Sequence, residues 1–226
     1  NARVVRMDMD TTSRKGMHEK IINDFGEHKY DILVGTQMVS KGLDFERVRL
    51  VGILNADALL NFPDFRAYER AFQMMSQVSG RAGRKNRRGL VVIQTSTPEH
   101  PIIELVKNND FQSLYEEQLL QRRSYKYPPY YRLIYINIKG REFKQVEQAA
   151  NFLAVQMRRV FSERVYGPDK PIVTRVQQLY IQRIMLKVEQ KASFVKAKEL
   201  LKVLIDQTMS LPQFRAVFIQ IDVDPM

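Results

Sequence analysis

The sequence predicts two unlike parts: an α/β first half with parallel strands, then an α+β second half with an antiparallel sheet. Three observations predict it. Residues 1–110 alternate short apolar runs with segments of helical period, the order in which helices join parallel strands. Residues 131–226 read strand, helix, strand, strand, helix, strand. Between them Tyr127-Pro128-Pro129-Tyr130 cannot continue a helix and forces extended backbone, so residues 111–130 are read as a helix and linker.

In the first half the candidate strands are Val4–Met7, Asp31–Gly35, Arg49–Leu54 and Leu90–Gln94. Each is apolar on both faces, as a sheet covered by helices on both sides requires. Helices are expected at 16–25, 64–79 and 101–108. In the second of these Phe65, Tyr68, Phe72 and Met75 recur at helical spacing and form a stripe for burial. A further helix over about 110–123 leads into Arg122 and Arg123 and a tyrosine-rich stretch. Its tyrosines either pin the linker or stack on nucleic acid.

In the second half Ile134, Ile136 and Ile138 share one strand face, and Val146, Ala149, Ala150, Leu153, Met157 and Val160 form a helical stripe. Strands are expected at 171–176 and 179–188, then a helix turning Phe194, Ala197, Leu201 and Leu204 inward. Val217, Ile219, Ile221 and Val223 alternate in a last strand. This βαββαβ order is the ferredoxin-like arrangement, with both helices on one face of the sheet. The other face carries Tyr135, Arg183, Met185, Lys187, Phe218 and Gln220. Either it stacks bases, as aromatic and cationic sheet faces do, or it docks on the first half.

Composition removes several functional classes. The 226 residues include no Cys, which excludes disulfides, thiolate zinc sites and cysteine nucleophiles, and three scattered His make a His-only metal centre improbable. No apolar run approaches the roughly 18–20 residues of a membrane helix, and no secretory leader is seen. The expected class is soluble and cytoplasmic. Asn1-Ala2, without an initiator Met, reads as an expression remnant on an excised fragment. Charge is uneven: residues 1–110 hold 17 basic and 14 acidic side chains (net +3), residues 111–226 hold 19 and 11 (net +8). A basic C-terminal half is the footprint of a polyanion binder, or simply a solubilising surface.

The most informative stretch is Gln77-Val78-Ser79-Gly80-Arg81-Ala82-Gly83-Arg84, directly after the 64–79 helix. Two arginines three apart present two guanidinium forks, which suit phosphate oxygens whose charge grows during phosphoryl transfer. Gly80 and Gly83 permit close backbone approach. Upstream, Gly35-Thr36-Gln37-Met38-Val39-Ser40-Lys41-Gly42-Leu43-Asp44-Phe45 begins at a strand's carboxyl end, where backbone N–H groups and a hydroxyl can face phosphate. Asp44 is suited to hold a ribose hydroxyl or orient an arginine, and Thr36 alone is also an ordinary helix cap.

These two stretches resemble motifs VI and V of superfamily 2 helicases. With Asp8-Met9-Asp10-Thr11-Thr12, the Asp57–Arg70 bridge (DALLNFPDFRAYER) and the Tyr-Pro-Pro-Tyr entry, the chain is similar to the PriA replication-restart helicases from about residue 3 to Pro225. The resemblance implies part of the second RecA-like helicase lobe over 1–110 and a DNA-binding C-terminal domain over 131–226. It implies a 3′→5′ helicase acting on stalled, forked DNA and helping to reload the replicative helicase, with ATP and Mg²⁺ held between two lobes. Arg81 and Arg84 would be arginine fingers, and Gln77, Gly80, Gly42 and Asp44 would lie toward the nucleotide. Candidate nucleic-acid contacts are Thr36, Gln37, Lys41, Arg122, Arg123, Tyr135, Arg183 and Lys187. Single-strand-binding protein and primosome proteins are the partners the family implies.

The sequence also departs from that family. It has no Gly-x-x-x-x-Gly-Lys-Ser/Thr loop, no Asp-Glu pair after a strand, and none of the cysteines of the family's zinc module. The chain by itself is therefore expected to be inactive as an ATPase. Two other readings stay open: another superfamily 2 translocase, and a non-catalytic nucleic-acid or partner-binding module.

Overall fold

The computed structural model describes residues 2–13, 16–36, 48–80, 82 and 89–225. The chain divides into two compact units, Asn1–Tyr115 and Glu116–Met226.

In the first unit β1 (Val4–Met7) pairs in parallel with β2 (Ile32–Gly35), and β3 (Leu50–Ile53) with β4 (Leu90–Ile93). Between β1 and β2 lie a single turn, α1 (Met9–Thr12), and α2 (Met17–Gly26). Asp8 caps α1 in a reciprocal box with Thr11. Met7 and Ile21 are buried together against Val5, Ile22 and Leu33.

A larger core forms around α3 (Asp57–Leu60), α4 (Ala67–Ser79), α5 (Pro101–Asn108) and the start of α6 (Phe111–Ser124), joining Phe72, Met75, Ile102, Ile103 and Leu114. α4 begins three residues later than its apolar period suggested. Asp64 accepts from the Arg66 backbone N–H and side chain and so closes a turn before the helix. Phe65 therefore lies outside α4, and the buried stripe is Ala67, Ala71, Phe72 and Met75.

Burial on both strand faces is not observed among the described residues. Val4, Ile32, Val34, Leu50, Leu90 and Val92 remain 44–61% exposed, since each two-stranded sheet buries one face only.

In the second unit β5 (Tyr131–Gly140), β6 (Val165–Asp169), β8 (Leu179–Glu189) and β9 (Phe218–Val223) form one antiparallel sheet in the order β6-β8-β5-β9. A short β7 (Arg175–Val176) pairs with the start of β8. α7 (Phe143–Phe161) and α8 (Phe194–Met209) share one core with this sheet. Ile134, Ile136, Ile138, Ile184 and Leu186 meet Val146, Leu153, Met157 and Leu201 there. Each such fully buried side chain stabilises by about 1.5–3 kcal/mol over its exposed state.

The order is the ferredoxin-like one, with one corrected element. The second strand is Val165–Asp169 rather than 171–176. Val-Tyr-Gly-Pro-Asp carries Gly-Pro, a common turn signal, yet it lies at the sheet edge, where proline's missing N–H costs no ladder bond. Gly167 has φ +86°, and a Cβ there would meet the Arg183 carbonyl at 2.7 Å.

Candidate nucleotide and nucleic-acid sites

The parallel register of β1 and β2 aligns Met7 with Gly35, so Asp8 and Thr36 follow on from the same sheet edge. Asp8 is occupied as a cap, and its carboxyl is held below the usual range by the Thr11 backbone N–H. Thr36 is exposed.

α4 buries one face, exposes Gln77 on the other, and ends at exposed Gly80, the residue before Arg81. Gln77, Gly80 and Thr36 are thus surface groups near strand or helix ends, where they are open to a ligand. Arg81, Arg84, Gly42, Asp44, Gln37 and Lys41 lie outside the described residues.

In the same unit is a cluster to which the sequence alone assigned no chemistry. Asp57, at the start of α3 beyond β3, accepts from Thr95 Oγ1 at 2.6 Å and from the Ser96 backbone N–H and Oγ at 2.8 Å, just beyond β4. The Thr95 hydroxyl and then Ser96 depress its carboxyl pKa. One carboxylate therefore ties together the ends of two parallel strands. Because the folded pKa is depressed, this contribution is present above the ordinary carboxylate range and is lost as pH falls through the folded value. Asp57→Asn is expected to lower the urea midpoint at pH 7 and to flatten the stability loss below pH 4; an unchanged midpoint would remove the tie. No spacing rule links residues 38 apart, so the signal became visible only with the pairing of β3 and β4.

In the second unit Tyr135 and Arg183 come together on the sheet face away from α7 and α8. The Arg183 guanidinium lies 4.5 Å from the Tyr135 ring centroid, and its Nε donates to Asn137 Oδ1 at 2.9 Å. Both residues are half-exposed.

Lys187, on the same face, corrects the expectation of a nucleic-acid contact: it is 4% exposed. Its Nζ donates to the Tyr125 carbonyl at 2.7 Å and sits 3.6 Å from the Tyr127 ring centroid and 4.7 Å from that of Tyr166. Burial, with repulsion from Lys126, pushes its ammonium down to about 8. The linker is held here too, since Gln190 donates to the Pro129 carbonyl through its side chain and to Tyr130 through its backbone. With Leu133, Asn137 and Ile181 also buried, much of the face is already covered. Arg122, half-buried, and Arg123, exposed, end α6, where cations complement the helix carbonyls.

Comparison with known proteins places both halves. Residues 1–86 match the helicase conserved C-terminal domain, and residues 123–226 match the primosomal protein N C-terminal domain. The replication restart protein PriA of Bacillus subtilis is 42% identical over 229 residues, covering 100% of this chain and 28% of that protein. The chain belongs to the PriA family. Other PriA proteins are similar over 99% of this chain: that of Synechocystis at 38% identity, with 26% of its length covered, and that of Treponema pallidum at 37%, with 33% covered. The chain thus spans about a quarter to a third of the length of these PriA relatives. Its first half is part of a RecA-like second helicase lobe, and its second half is the PriA C-terminal domain. No described helix is long and apolar enough to cross a membrane.

Proposed function

We propose that in its parent protein this chain supplies one side of an ATP-driven DNA helicase motor, together with a DNA-binding C-terminal domain, for restarting replication at stalled forks. One observation carries this reading. A single continuous alignment with replication restart proteins runs through both halves, where a bare translocase would share only the first.

The chemistry of the residues supports it. Exposed Thr36, Gln77 and Gly80 are open to a ligand, and Arg81 and Arg84 follow α4 directly. In the full site Arg81 and Arg84 would stabilise the charge that grows on the phosphoryl oxygens of ATP, and Gly42 and Asp44 are assigned to the nucleotide by the family resemblance. The phosphate cradle and the carboxylates for Mg²⁺ have no counterpart in this sequence and come from the rest of the parent. This sequence offers zinc no cysteine ligand. Translocation runs 3′→5′, and single-strand-binding protein and primosome proteins are the partners, in the cytoplasm.

The test is unwinding by the purified parent with ATP and Mg²⁺. A forked duplex with a 3′ single-stranded arm is expected to open, and a 5′-tailed duplex to stay intact. Equal opening of both would remove the polarity, and opening of neither would remove the motor. The second reading, a module that binds DNA without ATP, is favoured by the net +8 of residues 111–226 and is compatible with the first.

A further inference from the structure

The structure assigns a single-stranded DNA surface to the end of the C-terminal domain where β5 finishes and the β7–β8 hairpin turns, not to the open face of its sheet. This rests on the DNA-binding reading above and names the surface that performs it.

On the sheet face the chemistry is already spent within the chain. Lys187 is buried, the Arg183 Nε donates to Asn137 Oδ1 at 2.9 Å, and Lys139 Nζ donates to Gln220 Oε1 at 2.5 Å. Asp222, opposite Tyr135, adds negative charge to that face.

At the end of the sheet the register places Gly140 opposite Tyr180, and Tyr180 opposite Arg175. The Arg175 guanidinium lies 5.0 Å from the Tyr180 ring centroid. The Tyr180 ring meets that of Phe143 edge-on at 5.7 Å, and Lys170 Nζ lies 5.1 Å from the Phe143 centroid. Two cations and two rings therefore form one contiguous cluster. Arg141 and Lys144 flank Phe143 in sequence.

All four cations are exposed, and none makes a hydrogen bond or ion pair among the described residues. The carboxylates next to these cations in sequence are Glu142 and Asp169, two against four positive charges. Gln177 and Gln178 form the β7–β8 turn with φ +48° and +66°, the left-handed pair of a tight hairpin, and present two exposed amides at its tip. Unpaired cations track a phosphate backbone, and guanidinium planes and rings stack bases without regard to sequence. This is the chemistry of single-strand binding.

The test measures binding of the 226-residue chain to fluorescein-labelled oligo(dT) by anisotropy, across a salt series. Lys170→Glu/Arg175→Glu is compared with Lys198→Glu/Lys202→Glu on exposed α8, which makes the same change in net charge. The first pair is expected to weaken binding at least about tenfold and to reduce the salt slope by about 1.4, two single-strand phosphate contacts. The α8 pair is expected to stay within about threefold. Equal losses from the two pairs would reduce the surface to bulk charge, and an intact Lys170/Arg175 variant would overturn the assignment. Absence of binding by the unaltered chain would instead sink the DNA-binding reading itself. Lys170→Gln/Arg175→Gln, with a far-UV spectrum matching the parent chain, separates lost contacts from lost folding.

Discussion

Arg81→Ala in the full-length parent is expected to lower kcat for ATP hydrolysis by about a thousandfold or more, with KM for ATP changed by less than about threefold. The asymmetry follows from when the interaction forms. A guanidinium fork aimed at phosphoryl oxygens meets little extra charge in the ground state and much more as the bond to the leaving phosphate breaks. Loss of an arginine finger therefore falls on turnover, on the order of 10³–10⁵. Arg81→Lys is expected to recover little, since an ammonium is a point charge without the planar pair of donors. Steady-state hydrolysis with saturating single-stranded DNA, beside a thermal melt of the same variant, checks both statements. Turnover near that of the unaltered parent would remove Arg81 from the role, as would a large rise in KM with kcat intact.

The unaltered chain is expected to gain stability between about pH 8 and 10.5, and Lys187→Met is expected to abolish that rise. The ammonium is buried beneath Tyr127 and Tyr166 and faces Lys126, which holds its pKa at about 8 in the folded chain against 10.5 unfolded. Between those values the unfolded chain binds more protons at this site, so unfolding becomes harder as pH rises. Below about pH 8 both states are protonated, and the cost of burying the charge is present in full. A displacement of that size corresponds to roughly 3 kcal/mol.

Methionine keeps the length of the side chain and removes the proton, although it leaves the Tyr125 carbonyl without its donor. Urea unfolding from pH 7 to 10.5 tests this, because tyrosine ionisation is common to both proteins and cancels in the difference. Parallel profiles for the two proteins would show that Lys187 titrates as an ordinary lysine.

Lys187 also shows where reading the sequence stopped. Its place on a strand opposite the inward Ile184, Leu186 and Val188 was legible from alternation, and alternation assigned it to an open face. That face is partly closed by residues 125–127, more than fifty positions away, and no local pattern encodes that contact. The Val165–Asp169 strand was missed for a related reason, since its Gly-Pro is tolerated only because sheet order puts it at an edge. Phe65 fell outside α4 because a two-residue Asp64–Arg66 turn outweighed apolar period.

The sequence by itself determined the class of each half, most of the elements that carry them and the family, because these depend on local period, turn chemistry and contiguous motifs such as Gln77–Arg84. It also contains no Gly-x-x-x-x-Gly-Lys-Ser/Thr string. Tertiary structure decided which polar groups are free to act. Asp57 is committed to Thr95 and Ser96, Lys187 to Tyr125 and two rings, and Arg183 to Asn137 and Tyr135, while Arg175 and Lys170 stay exposed beside Tyr180 and Phe143. The physical reason is that a charge's availability depends on burial and on partners brought by strand register from distant positions, and neither is a property of its neighbours in the chain.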